Sequence, residues 1–135
     1  MGLVSGRDLL LKIETEGAFE TVAGLRIKAL QLNARTVDVT DAGSQGWREL
    51  LPSAGLRSAE ITGRGLFRNK AADTRIRSAF FSQDMLSCRF LMPGFGTISG
   101  GFIVGRLKYA GEHDGVAGFE MNFVSAGALS FEVLP

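Results

Sequence analysis

Residues 56–67, Leu-Arg-Ser-Ala-Glu-Ile-Thr-Gly-Arg-Gly-Leu-Phe, alternate with a period of two. Arg57, Ala59, Ile61, Gly63 and Gly65 fall on one side of an extended chain, and Leu56, Ser58, Glu60, Thr62, Arg64 and Leu66 on the other. The second side is mostly polar, so this is a strand with one face packed and one face wet. Residues 116–124 repeat the pattern, setting Gly118, Glu120, Asn122 and Val124 against Phe119, Met121 and Phe123. Two half-wet strands this long commit the chain to a β fold.

Upstream, residues 8–14 read as a first strand, with Glu16 and Gly17 as the turn after it. A second strand region begins at Thr21 and runs to about Val39; its alternation slips near Lys28–Leu30, as a bulge or a change of face would make it do. Downstream, 69–84 reads as the one helix, with Asn69 as N-cap and Ala72, Ile76, Ala79 and Phe80 as its buried stripe. Asp73 and Arg77 stand four apart in the favourable acid-first order. Strands follow at 86–92, 97–109 and 129–134, with turns at 93–96 and 111–115. Phe90, Phe102, Phe119, Phe123 and Phe131 lie in these runs as core candidates. About seven strands and one helix give an all-β fold with one flanking α-helix, a β-sandwich or barrel.

The chain of 135 residues is expected to be a single domain over 1–135, able to bury its core without disulfides or metal. Eighteen glycines against three prolines suit tight turns and close backbone approaches. Fifteen basic and fourteen acidic residues, a net charge of +1, argue against binding nucleic acid through a broad basic surface. The single Cys88 excludes an internal disulfide and reads as a packed thiol. Asp8, Lys12 and Glu14 break the only N-terminal apolar run, and no stretch approaches transmembrane length. The expectation is synthesis in the cytoplasm and no membrane binding.

No constellation suits catalysis, and no cofactor or metal is expected. His113 is the only histidine and sits between Glu112 and Asp114 in a Gly-bounded turn, which reads as a solvated hairpin tip. Gly94-Phe-Gly96 lacks the Lys-Ser/Thr ending of a phosphate loop and leads towards a strand. What stands out instead is a polar, Gly-punctuated excursion at about 40–55 that carries the only tryptophan. Long unstructured excursions in compact domains are functional or disordered. Trp47, Leu50 and Leu51 are costly to leave in water, so an arm docking on another molecule fits best, with Arg48 and Glu49 placed for ion pairs across the contact. The competing reading folds Trp47 back over its own domain's edge.

Thr21-Val-Ala-Gly-Leu-Arg26, Val37-Asp-Val-Thr40, Gly46-Trp-Arg-Glu-Leu-Leu51, Phe95-Gly96, Tyr109-Ala-Gly-Glu112 and Ser125-Ala-Gly-Ala128 form a series along nearly the whole chain. That series resembles the major tail, or tail tube, proteins of long non-contractile-tailed phages, in the branch shared with gene transfer agents. The resemblance implies a tail-tube-type sandwich whose subunits form hexameric rings that stack into a hollow tube in the tail of the particle. It implies that 40–55 is the stacking arm, with Trp47, Leu50 and Leu51 buried at the inter-ring contact and Arg48 and Glu49 fixing register; with its apolar residues unpartnered in the monomer, the arm is expected to be mobile before assembly. The lumen would hold a tape-measure protein and later pass double-stranded DNA without specific binding, and tail terminator and distal tail proteins would close the ends. Ser58, Glu60, Thr62, Glu120 and Asn122 are the lumen-facing candidates, on an acidic or neutral wall; Arg64, Arg106 and Lys108 stand against that expectation. Alternatives are a type VI secretion-like tube protein, a tail terminator or adaptor, or a ligand-binding β-sandwich with Trp47 on an open concave surface.

Overall fold

The structure is a computed structural model and describes residues 3–111 and 113–133. Eight strands and one helix follow one another as β1 (Leu10–Thr15), β2 (Ala18–Thr21), β3 (Leu25–Ala34), β4 (Arg57–Leu66), α1 (Ala71–Ser82), β5 (Leu86–Met92), β6 (Gly96–Ala110), β7 (Gly118–Ser125) and β8 (Ser130–Val133). All strand pairs are antiparallel, in the order β2-β1-β5-β6-β7-β4-β3, with β8 added along the first four residues of β6.

Glu16 and Gly17 both take positive φ, 51° and 86°, the geometry that a tight hairpin with the native twist requires. The strand region expected from Thr21 onward is divided. Gly24, at φ 85°, breaks it, and a side chain there would run into the Leu66 carbonyl. The bulge lies between Leu25 and Ile27, earlier than the slip in the sequence pattern suggests. From there Lys28, Leu30 and Leu32 turn towards the interior side and Ile27, Ala29, Gln31 and Asn33 towards solvent.

The fifteen residues of β6 serve both halves of the sheet. Its first part pairs with β5 and β8, and from Phe102 onward it pairs with β7, where a register shift falls between Val104 and Arg106. The sheet is rolled: Lys28 on β3 donates its ammonium hydrogen to the Leu9 carbonyl just before β1, although those strands stand near opposite ends of the sheet order. One core fills the roll, combining Leu11 and Ile13 from β1 with Leu86, Phe90, Phe102, Ile61, Phe119, Met121 and Phe123. Phe131 is not part of it. β8 is a four-residue strand exposed along its length, and Phe131 lies outside, 5.0 Å from the ring of Phe95.

The helix packs on β6, β1 and β2 through Ala72, Ile76 and Ala79, with Phe80 half-buried. Its N-cap is Lys70, because Asn69 sits at φ 51° and leaves the chain one residue too early. Asp73 turns inward rather than towards Arg77: Oδ2 accepts the Lys70 backbone N–H at 3.0 Å, and the residue is buried. That hydrogen bond satisfies one of the donors a helix start leaves open.

Cys88 is buried in the same core, and burial pushes its thiol from 9.0 up to about 12. The neutral thiol is therefore the form the fold holds. Its contribution to stability is full below about pH 9 and is lost as pH rises towards 12. Native protein at pH 8 should resist alkylation by iodoacetamide, and the urea-unfolded chain should react at the rate of a free thiol. Rapid native labelling would show that the β1–β5 region opens readily.

Candidate functional site

Two surfaces stand apart from the packed body. The first is the segment between β3 and β4, which is a hydrogen-bonded ribbon rather than an irregular loop. Arg35 N–H donates to the Leu56 carbonyl at 2.7 Å, Leu51 N–H to Val37 at 2.8 Å and Val39 N–H to Glu49 at 2.9 Å. Thr40 Oγ1 accepts Glu49 N–H at 2.7 Å. At the tip, Asp41 caps a short 3-10 turn, Ala42–Ser44; its Oδ1 accepts Gly43 N–H at 2.9 Å, and Ser44 Oγ accepts Asp41 N–H at 3.1 Å. Gln45 and Gly46, both at positive φ, reverse the chain, and Trp47 N–H donates to the Ser44 carbonyl at 3.1 Å. The base is set by Gly55, where any side chain would collide with the Arg35 carbonyl.

The bridge between Asp38 and Leu50 fixes the sidedness of the ribbon. Val37, Val39, Glu49 and Leu51 share one side, and Asp38, Arg48 and Leu50 the other. Hydrogen bonds from Thr40, and then the charge of Arg48, hold the Asp38 carboxyl below its usual range. Trp47 is 79% exposed, with Leu50 at 37% and Leu51 at 47%, and Val37 and Val39 are exposed beside them. The tryptophan does not fold back on its own domain. Five apolar side chains on one projecting ribbon face water.

The second surface is the outer face of β3, β4, β7 and the second part of β6. Register places Ile27, Arg64, Glu120 and Lys108 in one row, and Ala29, Thr62, Asn122 and Arg106 in the next. Gln31, Glu60 and Val124 form a third, and Ser58 stands opposite Asn33. Ser58, Glu60, Thr62, Glu120 and Asn122 therefore share one face. Glu60 Oε2 accepts a hydrogen bond from Asn122 Nδ2 at 2.8 Å. Glu120 lies 3.9 Å from Arg106 Nη2 and 3.6 Å from Lys108 Nζ.

Arg64, Arg106 and Lys108 belong to this face too, so it carries three cations against two carboxylates. The face expected to be acidic or neutral is instead mixed, with a cationic excess. The register shift at Gly105 puts Arg106 and Lys108 there: before it Val104 points to the core, and after it Leu107 does. The glycine in an otherwise strand-like run was the available sequence signal.

Among the described residues, no three His, Cys, Asp or Glu side chains come together as a metal site. His113 and Asp114 are almost fully exposed, 3.8 Å apart; Glu112 lies outside the described residues. The Gly94 turn runs directly into β6, not into a helix. Among the described residues no helix is long and apolar enough to cross a membrane.

A family profile described as "phage tail tube protein" matches residues 3–131. The structure is similar to the tail of an empty gene transfer agent particle refined with C6 helical symmetry, at TM-score 0.91 and 46% identity, covering 96% of this chain and 98% of that one. It matches the virion of a native gene transfer agent particle at TM-score 0.90, again with 46% identity and the same coverage. The SPP1 tail tube shares the fold at TM-score 0.74 with 14% identity, over 98% of this chain and 80% of that one. No curated protein sequence matches the chain.

Proposed function

Because the chain belongs to the phage tail tube protein family, on its gene transfer agent side, we propose that six copies form a ring and that rings stack into the hollow tail of a particle. The chain is a structural subunit of that tube and not an enzyme. In this reading the ribbon is the stacking arm. Trp47, Leu50 and Leu51 enter the neighbouring ring, and Arg48 and Glu49 set the angle at which they do so. The outer face of β3, β4, β7 and β6 lines the lumen, which holds a tape-measure protein and later passes double-stranded DNA. Tail terminator and distal tail proteins close the two ends.

The observation that carries this reading is the ribbon with its exposed tryptophan, on a chain so similar to the subunit of an assembled six-fold tail. Two other features support it. β3 ends the sheet order with a ten-residue edge, a length that solitary proteins usually blunt and that a ring can use. A projecting apolar knob that meets a different surface on the next copy makes a contact that repeats without closing, the geometry of a filament.

Negative-stain electron microscopy of the purified protein at high concentration tests it. Tubes of stacked six-fold rings are the expected image. Monomers alone, by microscopy and by light scattering, together with particles that lack the protein, would refute the assignment.

A further inference from the structure

Glu120 is one carboxylate among three cations. Arg64 stands opposite it across the β4–β7 pair, Lys108 opposite it across β6–β7, and Arg106 reaches it from the next row. Its two oxygens lie 3.9 Å from Arg106 Nη2 and 3.6 Å from Lys108 Nζ, and the cationic side chains are 65% and 60% exposed against 30% for Glu120. The other carboxylate of the face, Glu60, is two rows away and engaged by Asn122. Glu120 is therefore the one carboxylate of the face that engages its cations, Arg106 and Lys108.

Without that carboxylate the same positions would present three long cations on neighbouring strands, spaced about 5 Å across the sheet and about 7 Å along it. Those spacings suit contacts to successive phosphates of a polyanion, and arginine adds planar, two-pronged recognition of phosphate oxygens. The face carries no aromatic side chain on which unstacked bases would sit, so the matching polyanion is a duplex and not a single strand.

We infer that Glu120 is the residue that keeps this face from holding double-stranded nucleic acid, by engaging cations that would otherwise grip its phosphates. The inference rests on the reading that this face lines a conduit for DNA, where retention would oppose transit. It assigns to one side chain a property that composition alone would spread over the whole wall.

Fluorescence anisotropy with a labelled duplex of about 20 base pairs tests the assignment on the purified full chain, with microscopy of the same samples reporting assembly. Glu120→Gln should tighten duplex binding about tenfold at about 50 mM salt, with most of the gain gone at about 200 mM. Adding Arg106→Ala and Lys108→Ala to that variant should restore wild-type binding. Glu60→Gln should leave binding unchanged, since Glu60 stands outside the cluster. Glu120→Ala provides a second neutralisation, and circular dichroism verifies that each variant is folded.

A folded Glu120 variant that binds duplex no better than wild type would overturn the inference, even where tubes form and the tube reading stands. So would a gain that survives loss of Arg106 and Lys108, an equal gain from Glu60→Gln, or a larger gain for a polyglutamate peptide than for the duplex. Wild-type monomers together with particles that lack the protein would refute the tube reading separately, since duplex binding is compared on unassembled subunits, where the face is open.

Discussion

Trp47→Ala combined with Leu50→Ala should leave the subunit folded and abolish stacked tubes. Both side chains stand on a ribbon whose backbone is held by its own hydrogen bonds, and neither touches the core, so the melting temperature should hardly move. Assembly is a different matter. A buried tryptophan anchor typically carries about 2 kcal/mol or more of a contact. In a six-membered ring that loss recurs at every copy, on the order of 10 kcal/mol per ring-to-ring interface. Single rings or monomers in place of tubes are the expected image. Tubes as long and as numerous as those of the wild type would move the stacking contact away from the ribbon.

Phe123→Ala should cost about 3–5 kcal/mol of folding free energy. Phe123 is fully buried on β7 and pairs with Ile61 on β4 and with Val104 on β6. It therefore faces the interior of the roll, where close packing leaves little to collapse into the space vacated. Domains of this kind hold only about 5–15 kcal/mol in total, so the variant approaches the limit of folding at all. Urea denaturation should show a lower midpoint with an unchanged slope. Phe131→Ala is the internal contrast: its ring lies outside on β8, and its loss should cost no more than about 1 kcal/mol. Equal costs at the two positions would mean that the core is not the single one described.

The strands that lie between two neighbours were the legible ones. β4 and β7 show alternation because each has one face in the core and one in water along most of its length, and register brings their outer residues onto one face. The helix stripe was equally plain. Three of the failures share a cause: each is a place where backbone geometry changes parity or ends an element. Gly24 divides one strand region in two, the Gly105 shift turns two cations outward, and Asn69 in a left-handed conformation hands the cap to Lys70. Phe131 looks like core in a sequence because hydrophobicity does not reveal that its strand covers only four residues at the rim of β6. The ribbon is legible in the sequence as an excursion but not as ordered, because its pairs are few and its tip is closed by side chains of Asp41, Ser44 and Thr40.

That ribbon is tied at its base by the Arg35–Leu56 hydrogen bond and, beyond a turn at 52–53, by the pairs between Val37–Val39 and Glu49–Leu51. It extends β3 and β4, the two strands that also supply half of the polar face. About seven residues of extended chain, 35–41, reach about 23 Å, so a rotation of the sheet by about 5° that the ribbon follows swings the tip sideways by about 2 Å. In a tube stacked through this ribbon, a tilt of the sheet in one layer would reach the next without any side chain changing partners. The bending stiffness of such a tube would then depend on the sequence between Ala34 and Arg57.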